Sequence, residues 1–433
     1  MDEQARAAEA AKIAAENVAT AAEAASAASG ALAAAGDAVV DGALVAMARR
    51  LDEAAGPIIE ANRGDCARAE ESGMSGGLLD RLRLNPDRLA EMGRQLRVLS
   101  ETAPEPRRRH VRELPGDLVV EEWRRPVGVL GANFEARPNV VVDIASQLIK
   151  SHNAGVLRTG SAALESAGAL IDHVVAPALA EVGLDPAAIQ LVRLPGRETA
   201  EALVRQPKLL PLVILRGSGE STRTLAEQAA LAGVRTLAHA DGGGVMYLHP
   251  SADRSLAAEL IGRSVDRLGV CNRLNLLLID GAIWDEVVPG VVEQLAGLEP
   301  KITASLPPYQ HPIGYEWALS DGNEATVTIA RADGVLDAAR IANEETSGLA
   351  AGIVADDADA AARFLAAYAG TGGFWNAPTR LLDGFKLLAV PETGINIDRV
   401  PGPRGPVTFR DLYLRQYVVL PAARQAEGFS PAG

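Results

Sequence analysis

Cys271 is one of only two cysteines in 433 residues, and it stands between a polar, helix-like segment and the apolar run Leu274-Asn-Leu-Leu-Leu-Ile-Asp280. At such a junction the chain changes direction and main-chain N–H groups can point into a cleft. A thiolate held there attacks an activated carbonyl, and neighbouring amides hold the oxyanion that forms. Cys271-Asn272 offers both parts: a thiol, and as donor either the Asn272 side-chain amide or the Cys271 main-chain N–H. The competing reading is a packing cysteine, because free Cys is among the most buried residue types. Cys66, in the polar helical stretch Arg63-Gly-Asp-Cys-Ala-Arg-Ala-Glu70, has no comparable surroundings.

The rest of the composition narrows the chemistry. Two cysteines make neither a disulfide framework nor a cysteine-rich metal site. The six histidines (110, 152, 173, 239, 249 and 311) include no pair at metal-ligand spacing on one helix, so no metal site is expected. Against 56 acidic residues there are 42 basic ones, a net charge of -14 with no basic stripe, which excludes nucleic acid as a partner. No unbroken apolar run reaches the roughly 18 to 20 residues of a membrane span, so no membrane partner and a cytoplasmic location are expected.

The elements that must position Cys271 alternate. An Ala-rich helical start runs from Met1 to about Arg50, interrupted by Gly30 and Gly36, and reads as a solvated or partly packed helix with an interaction arm as the alternative. Helical patterns continue to Ser100, and the segment 103–110 reads as a linker. Strand-like runs at Leu118–Trp123, Pro126–Asn133, Ala154–Gly160, Ile189–Pro195 and Leu210–Gly217 then alternate with helical ones. A second series starts near His239, with strands around 242–249, 325–330 and 351–355. Such alternation predicts an α/β architecture with parallel sheets in two units. Near the end, Asp411–Leu420 has strand character and is expected to pair with the Val119 region as an edge hairpin or intersubunit arm.

Several motifs in fixed order carry a resemblance: Pro126-Val-Gly-Val129, Glu135-Ala-Arg-Pro-Asn-Val140, Lys150, Asn153-Ala-Gly-Val-Leu-Arg-Thr-Gly-Ser161, Leu268-Gly-Val-Cys-Asn272, Asn376-Ala-Pro-Thr-Arg380, Glu392-Thr-Gly-Ile395 and Arg404-Gly-Pro406. The chain resembles the gamma-glutamyl phosphate reductases, a family of the aldehyde dehydrogenase superfamily, from about Ala54 to Val419. The resemblance implies an aldehyde dehydrogenase-like fold: a cofactor domain (1–117 and 126–238), a catalytic domain (239–400) carrying Cys271, and a small β arm for oligomerisation (118–125 and 401–433). It implies NADPH-dependent reduction of L-glutamyl 5-phosphate to glutamate 5-semialdehyde through a Cys271 thioester, in a cytoplasmic homo-oligomer, dimer or tetramer. With it, the packing reading of Cys271 gives way to the nucleophile.

No G-x-G-x-x-G follows the first strand, and the resemblance instead implies cofactor contacts from Lys150, Arg158, Gly160, Ser161, Arg216, Gly217, Ser218 and Gly219. Glu324 is expected at a nicotinamide ribose, with Glu316 competing for that role. An anionic substrate needs cations and polar partners, for which Glu135, Arg137, Asn376 and Arg380 are the candidates, each arginine equally readable as a structural bridge. The chain departs from the family at Gly242–Val245, which lacks a cysteine and a histidine, at Asn275 in place of a glutamate, at Thr346–Gly352, which lacks a histidine, at Pro378, and at Asn396 and Ile397. These departures leave open a paralogue that reduces a different acyl phosphate or acyl thioester, or a scaffold that keeps only the fold. Aldehyde oxidation is disfavoured, because no glutamate suited to activate water stands near His239.

Overall fold

The computed structural model describes residues 3–74, 76–217, 219–239, 242–320, 322–398 and 402–426. Five helices come first: α1 (Glu3–Ala34), α2 (Asp37–Glu53), α3 (Ala55–Glu71), α4 (Gly76–Leu82) and α5 (Pro86–Glu101). Ala14, Val18, Ala22, Ala25, Ala28 and Leu32 recur at three- and four-residue spacing along α1 and are all buried. That stripe lies on the first sheet, so the alanine-rich start is a packed helix whose small side chains permit close approach.

The strands, in chain order, are β1 (Arg108–Leu114), β2 (Leu118–Pro126), β3 (Val129–Phe134), β4 (Ala154–Thr159), β5 (Ile189–Leu191), β6 (Leu212–Arg216), β7 (Arg235–His239), β8 (Gly244–Leu248), β9 (Leu274–Asp280), β10 (Thr303–Ser305), β11 (Thr326–Ala332), β12 (Ala350–Val354), β13 (Gly372–Trp375), β14 (Gly394–Asn396), β15 (Gly405–Val407) and β16 (Tyr413–Pro421). One parallel sheet has the order β5-β4-β3-β6-β7, and a second has the order β10-β11-β9-β8-β12-β13. Strands β3, β4, β8, β9 and β12 are buried along their whole length, as strands covered on both faces by helices must be.

A third, antiparallel sheet joins β1, β2 and β16. Its first strand takes in Arg108, Arg109 and His110, which the sequence reading placed in a linker, and all of β1 lies within what it assigned to the cofactor domain. The short hairpin β14–β15 and the Phe409 turn precede β16. Phe409 N–H donates to Gln147 Oε1 at 2.6 Å and Asn153 Nδ2 donates to Leu412 O at 2.9 Å, so the C-terminal segment docks on the first unit before it reaches the arm.

One described helical stretch, Ser161–Glu181, has the length and apolarity of a membrane span, as does α1 with α2 taken as a bent pair. Neither is an unbroken apolar run, since several charged residues interrupt the second and Glu165 and Asp172 the first. The reason for its apolarity is packing, since 56% of the stretch is buried inside the protein.

Candidate active site

Cys271 ends the turn that follows the helix Arg254–Ser264 and stands just ahead of β9, half-buried. It packs against the apolar cluster of Leu349, Ala350, Phe374, Leu382 and Ile395. The glycine run before β8 passes alongside: Gly243 N–H donates to Cys271 O and Gly244 N–H to Arg273 O, both at 2.7 Å. A Cβ at Gly242 would lie 2.6 Å from both Cys271 Cβ and Glu316 Oε1, which leaves room only for glycine. The first departure from the family pattern thus lets this backbone close against Cys271.

Asn275 receives a similar account. Its Nδ2 donates to Tyr315 O at 2.7 Å and its Oδ1 accepts from Trp317 N–H at 2.9 Å. The two bonds bracket Glu316, whose Oε2 accepts from Gly242 N–H at 2.8 Å. A glutamate at position 275 would have no donor for Tyr315 O; an amide supplies both halves. Of the two competing carboxylates, Glu316 is therefore the one beside Cys271. Glu324 meets the second unit through its carbonyl, which accepts from Arg273.

Two expected site residues are engaged elsewhere. The Asn272 side chain donates to Leu382 O at 2.9 Å and accepts from Arg380, whose Nε donates to Asp266 Oδ1 at 2.7 Å. Asn272 with Arg380 thus ties the cysteine turn to the segment after β13, and the assignment of the Asn272 amide to the oxyanion and of Arg380 to substrate is corrected on that ground. The Cys271 main-chain N–H is left as the candidate oxyanion donor.

Three guanidinium groups act on the thiol electrostatically, Arg81, Arg137 and Arg216, and Arg267 acts in turn on Arg81 and Arg137. Arg81 donates to Gly269 O, and Arg267 lies 3.7 Å from Asp80. Arg137 and Arg216 make no side-chain hydrogen bond or ion pair with any described residue. Burial, reinforced by the neighbouring Arg81 and Arg216, brings Arg137 down to about 10, so it stays charged at neutral pH. Burial pushes the Cys271 thiol up to about 11, with Arg137 the strongest influence pulling it back down and Glu316 and Glu392 raising it. The resting sulfur is a thiol amid unsatisfied positive charge, an environment that an incoming anion completes.

A cleft of about 260 Å³ opens at the C-terminal ends of β3 and β4, lined by Asn133, Glu135, Arg158, Gly160, Ser161 and Ser221 among others. From β3 the chain runs to β4 and β5 on one side and returns to β6 and β7 on the other, which makes the β3/β6 boundary a topological switch point, where ligands of open α/β sheets bind. Arg158 is fixed there by bonds to Thr199, Asn133 and Gly196 O at 3.1, 3.0 and 2.7 Å. Glu135, expected at the substrate, lies on this wall instead. Arg216 and Gly217 leave β6 beside it, Gly219 opens the following helix Gly219–Ala232, and Ser218 lies outside the described residues.

Two further expectations are corrected. Lys150 is buried at the end of the helix α6 (Asn139–Lys150), ion-paired with Asp41 of α2 at 2.5 Å and lying over the Phe409 ring, where it holds the N-terminal helices and the C-terminal segment to the first unit. Asn376 sits at the C-terminal end of β13, the opposite end of the second sheet from Cys271, and both its side-chain atoms bond the Ala355 main chain at 3.0 Å. Sequence reading also passed over Arg81, which reaches the cysteine turn from a helix 190 residues earlier in the chain with no local signal. Glu392 stood within a quoted motif without a role. Its carboxylate accepts from Gly384 N–H and is raised by burial to about 7, opposed by Arg216.

Comparison with known proteins identifies the family. The aldehyde dehydrogenase family model matches residues 3–304. Gamma-glutamyl phosphate reductase from Clavibacter michiganensis is 34% identical over 393 residues, covering 88% of each chain. That from Novosphingobium aromaticivorans is 34% identical over 390 residues, covering 88% of this chain and 90% of its own. The crystal structure of gamma-glutamyl phosphate reductase from Thermotoga maritima superposes with a TM-score of 0.83 at 26% identity, covering 93% of this chain and 98% of that one. An acetylating aldehyde dehydrogenase from Geobacillus thermoglucosidasius shares the fold, with a TM-score of 0.71 at 16% identity over 95% and 97% of the two chains. The chain belongs to the aldehyde dehydrogenase family and, within it, to the gamma-glutamyl phosphate reductases.

Proposed function

We propose that the protein reduces L-glutamyl 5-phosphate to glutamate 5-semialdehyde with release of phosphate, through a thioester on Cys271 and with NADPH as reductant. The observation that carries this reading is the placement of one thiol in the field of two guanidinium groups, Arg137 and Arg216, that make no hydrogen bond or ion pair with a described side chain. An acyl phosphate brings several negative charges, and both arginines are free to bind them bidentately. Attack by Cys271 Sγ on the acyl carbon displaces phosphate, and the Cys271 main-chain N–H is the candidate donor to the oxyanion, a contact typically worth ~3 kcal/mol. Phe374, Leu382 and Ile395 keep the sulfur in an apolar pocket, which limits loss of the thioester to water.

A nicotinamide dinucleotide, when bound, supplies the hydride. The cleft at the switch point fits such a group, because Gly160 and Ser161 open main-chain approach to a phosphate and Arg158 and Arg197 bring positive charge to the same wall. Preference for the 2′-phosphate form belongs to this proposal, as do a cytoplasmic location and a homo-oligomer joined through the β1-β2-β16 arm. Val111, Tyr417 and Val419 of that arm are exposed, an apolar face suited to a second copy.

The test is phosphate-dependent oxidation of glutamate 5-semialdehyde with NADP⁺, in wild type and in Cys271→Ala. Turnover in the first and none in the second is the expected result. The departures at Pro378, Asn396 and the 346–352 segment favour a second reading, a different acyl donor on the same thiol; turnover on another acyl phosphate with none on the semialdehyde would select it.

A further inference from the structure

The acyl donor of the proposed reaction carries a nucleophile of its own. Once its acyl carbon is bonded to Cys271 Sγ, an unprotonated α-amine four bonds away closes a five-membered lactam. The N–C bond forms, the C–S bond breaks, and the amine's proton returns to sulfur. Intramolecular attack of this kind is strongly favoured by proximity. A site for this substrate must therefore hold the nitrogen as an ammonium ion, turned away from the thioester, and a carboxylate does that.

Glu316 is a carboxylate at the right place. Its Oε1 and Cys271 Cβ each lie 2.6 Å from the position that a Cβ on Gly242 would take, so the two atoms are separated by no more than twice that distance. Such a separation suits an acyl group whose carbonyl carbon is on sulfur and whose nitrogen stands four bonds further on. The carboxylate is also held rigidly. Gly242 N–H donates to its Oε2 at 2.8 Å, and Asn275 grips the main chain on either side, through Tyr315 O at 2.7 Å and Trp317 N–H at 2.9 Å. The flanking rings of Tyr315 and Trp317 pack edge to face with centroids 4.8 Å apart, and His311 stacks on Tyr315.

An ionised carboxylate accepts up to about four hydrogen bonds, and Gly242 N–H takes one of them. Arg81 and Arg273 feel the Glu316 charge, but they direct donors to main-chain carbonyls: Arg81 to Gly269 O, Arg273 to the carbonyls of Leu274, Glu324 and Thr326. The other carboxyl in the field of the thiol, Glu392, is raised to about 7 by burial and is the weaker anion.

We propose that Glu316 binds the α-ammonium group of the acyl donor and so selects amino-acid acyl groups for Cys271. The inference rests on the acyl-phosphate reading above and names the residue that chooses among acyl phosphates. Two departures from the family pattern build its seat. Gly242 lets Oε1 come beside Cys271, and the amide of Asn275 supplies a bracket that a glutamate there could not.

The test compares phosphate-dependent oxidation of glutamate 5-semialdehyde with that of glutarate semialdehyde, the same chain without the amino group, in wild type and in Glu316→Gln. Glutamine keeps an oxygen for Gly242 N–H, so the urea denaturation midpoint should hold. Wild type is expected to favour the amino-bearing substrate by about 10- to 150-fold in kcat/KM, the range of one charge-assisted contact. Glu316→Gln should lose that factor on glutamate 5-semialdehyde alone. Turnover of glutarate semialdehyde should be unchanged or higher, since the carboxylate raises the thiol, and the KM for NADP⁺ should not move. Wild type without the preference overturns the proposal whatever the variant does. A variant that keeps the preference also overturns it, as does a loss that falls equally on both substrates or on the KM for NADP⁺, which would place the carboxylate at the thiol or the cofactor. Wild type inactive on both aldehydes, though still alkylated at Cys271, would remove the functional reading itself, and the proposal with it.

Discussion

Replacing Arg137 by Met is expected to impair the enzyme while leaving the fold as stable as before or more so. The guanidinium is half-buried, has no hydrogen-bonded or ion-paired partner among the described residues, and is brought down to about 10 by burial and by Arg81 and Arg216. Methionine keeps most of the apolar stem and removes the charge. Nothing that stabilises the free protein is lost, so the denaturation midpoint should hold or rise. Substrate binding loses one charge-assisted contact, worth about 1.5–3 kcal/mol. At about 1.4 kcal/mol per decade, kcat/KM falls roughly 10- to 150-fold. Arg137 is also the strongest influence lowering the Cys271 thiol, so the thiol rises above about 11 and alkylation by iodoacetamide slows. The assays are steady-state oxidation of glutamate 5-semialdehyde, urea denaturation, and alkylation followed by mass. Wild-type kcat/KM, or destabilisation by more than about 1 kcal/mol, would refute the reasoning, since the second outcome means that Arg137 has a structural partner.

Arg380→Ala leaves the Asn272 side-chain Oδ1 without its donor and is expected to cost about 1–3 kcal/mol of stability by urea denaturation; a raised KM with unchanged stability would return Arg380 to the substrate. Lys150→Met breaks the buried pair with Asp41 and should destabilise by up to about 3–5 kcal/mol while the KM for NADPH stays the same. Asn275→Asp removes the donor to Tyr315 O, so both stability and turnover should fall, with Glu316 released from its bracket; unchanged turnover in a folded variant would separate Asn275 from the site. Glu392 and Asp143 are raised to about 7 and about 6 by burial, so the folded chain holds protons that the unfolded chain releases. The stability these neutral carboxyls contribute is complete below their unfolded values and is lost as pH rises through the folded ones. Glu392→Gln and Asp143→Asn should therefore melt above wild type at about pH 8, with the gap closing below about pH 4; a gap independent of pH contradicts this.

Local pattern carried the architecture. Strands β3, β4, β8 and β9 stand out because a parallel sheet covered on both faces demands continuous apolar runs. Where a residue's surroundings come from its own turn, the sequence was equally informative: Arg158, Gly160 and Ser161 follow one strand and line one cleft. It misled where a polar side chain had two available partners. Asn272, Arg380, Asn376 and Lys150 sit in motifs of a reactive site, yet each finds its bonds in neighbouring main chain or a buried ion pair. The departures at Gly242 and Asn275 looked like lost polar groups until Glu316 was seen between them.

The sequence by itself determined the α/β order and a helical start, and singled out Cys271 as the candidate thiol, because hydrophobic period and motif spacing act between residues close in the chain. Only the tertiary structure decided which charges surround that thiol. Arg81 from α4, Arg137 after β3, Arg216 at the end of β6, Glu316 before β11 and Glu392 before β14 converge on one sulfur from five separate segments. Their burial and mutual field set each protonation state, and those quantities exist only once the segments are packed together.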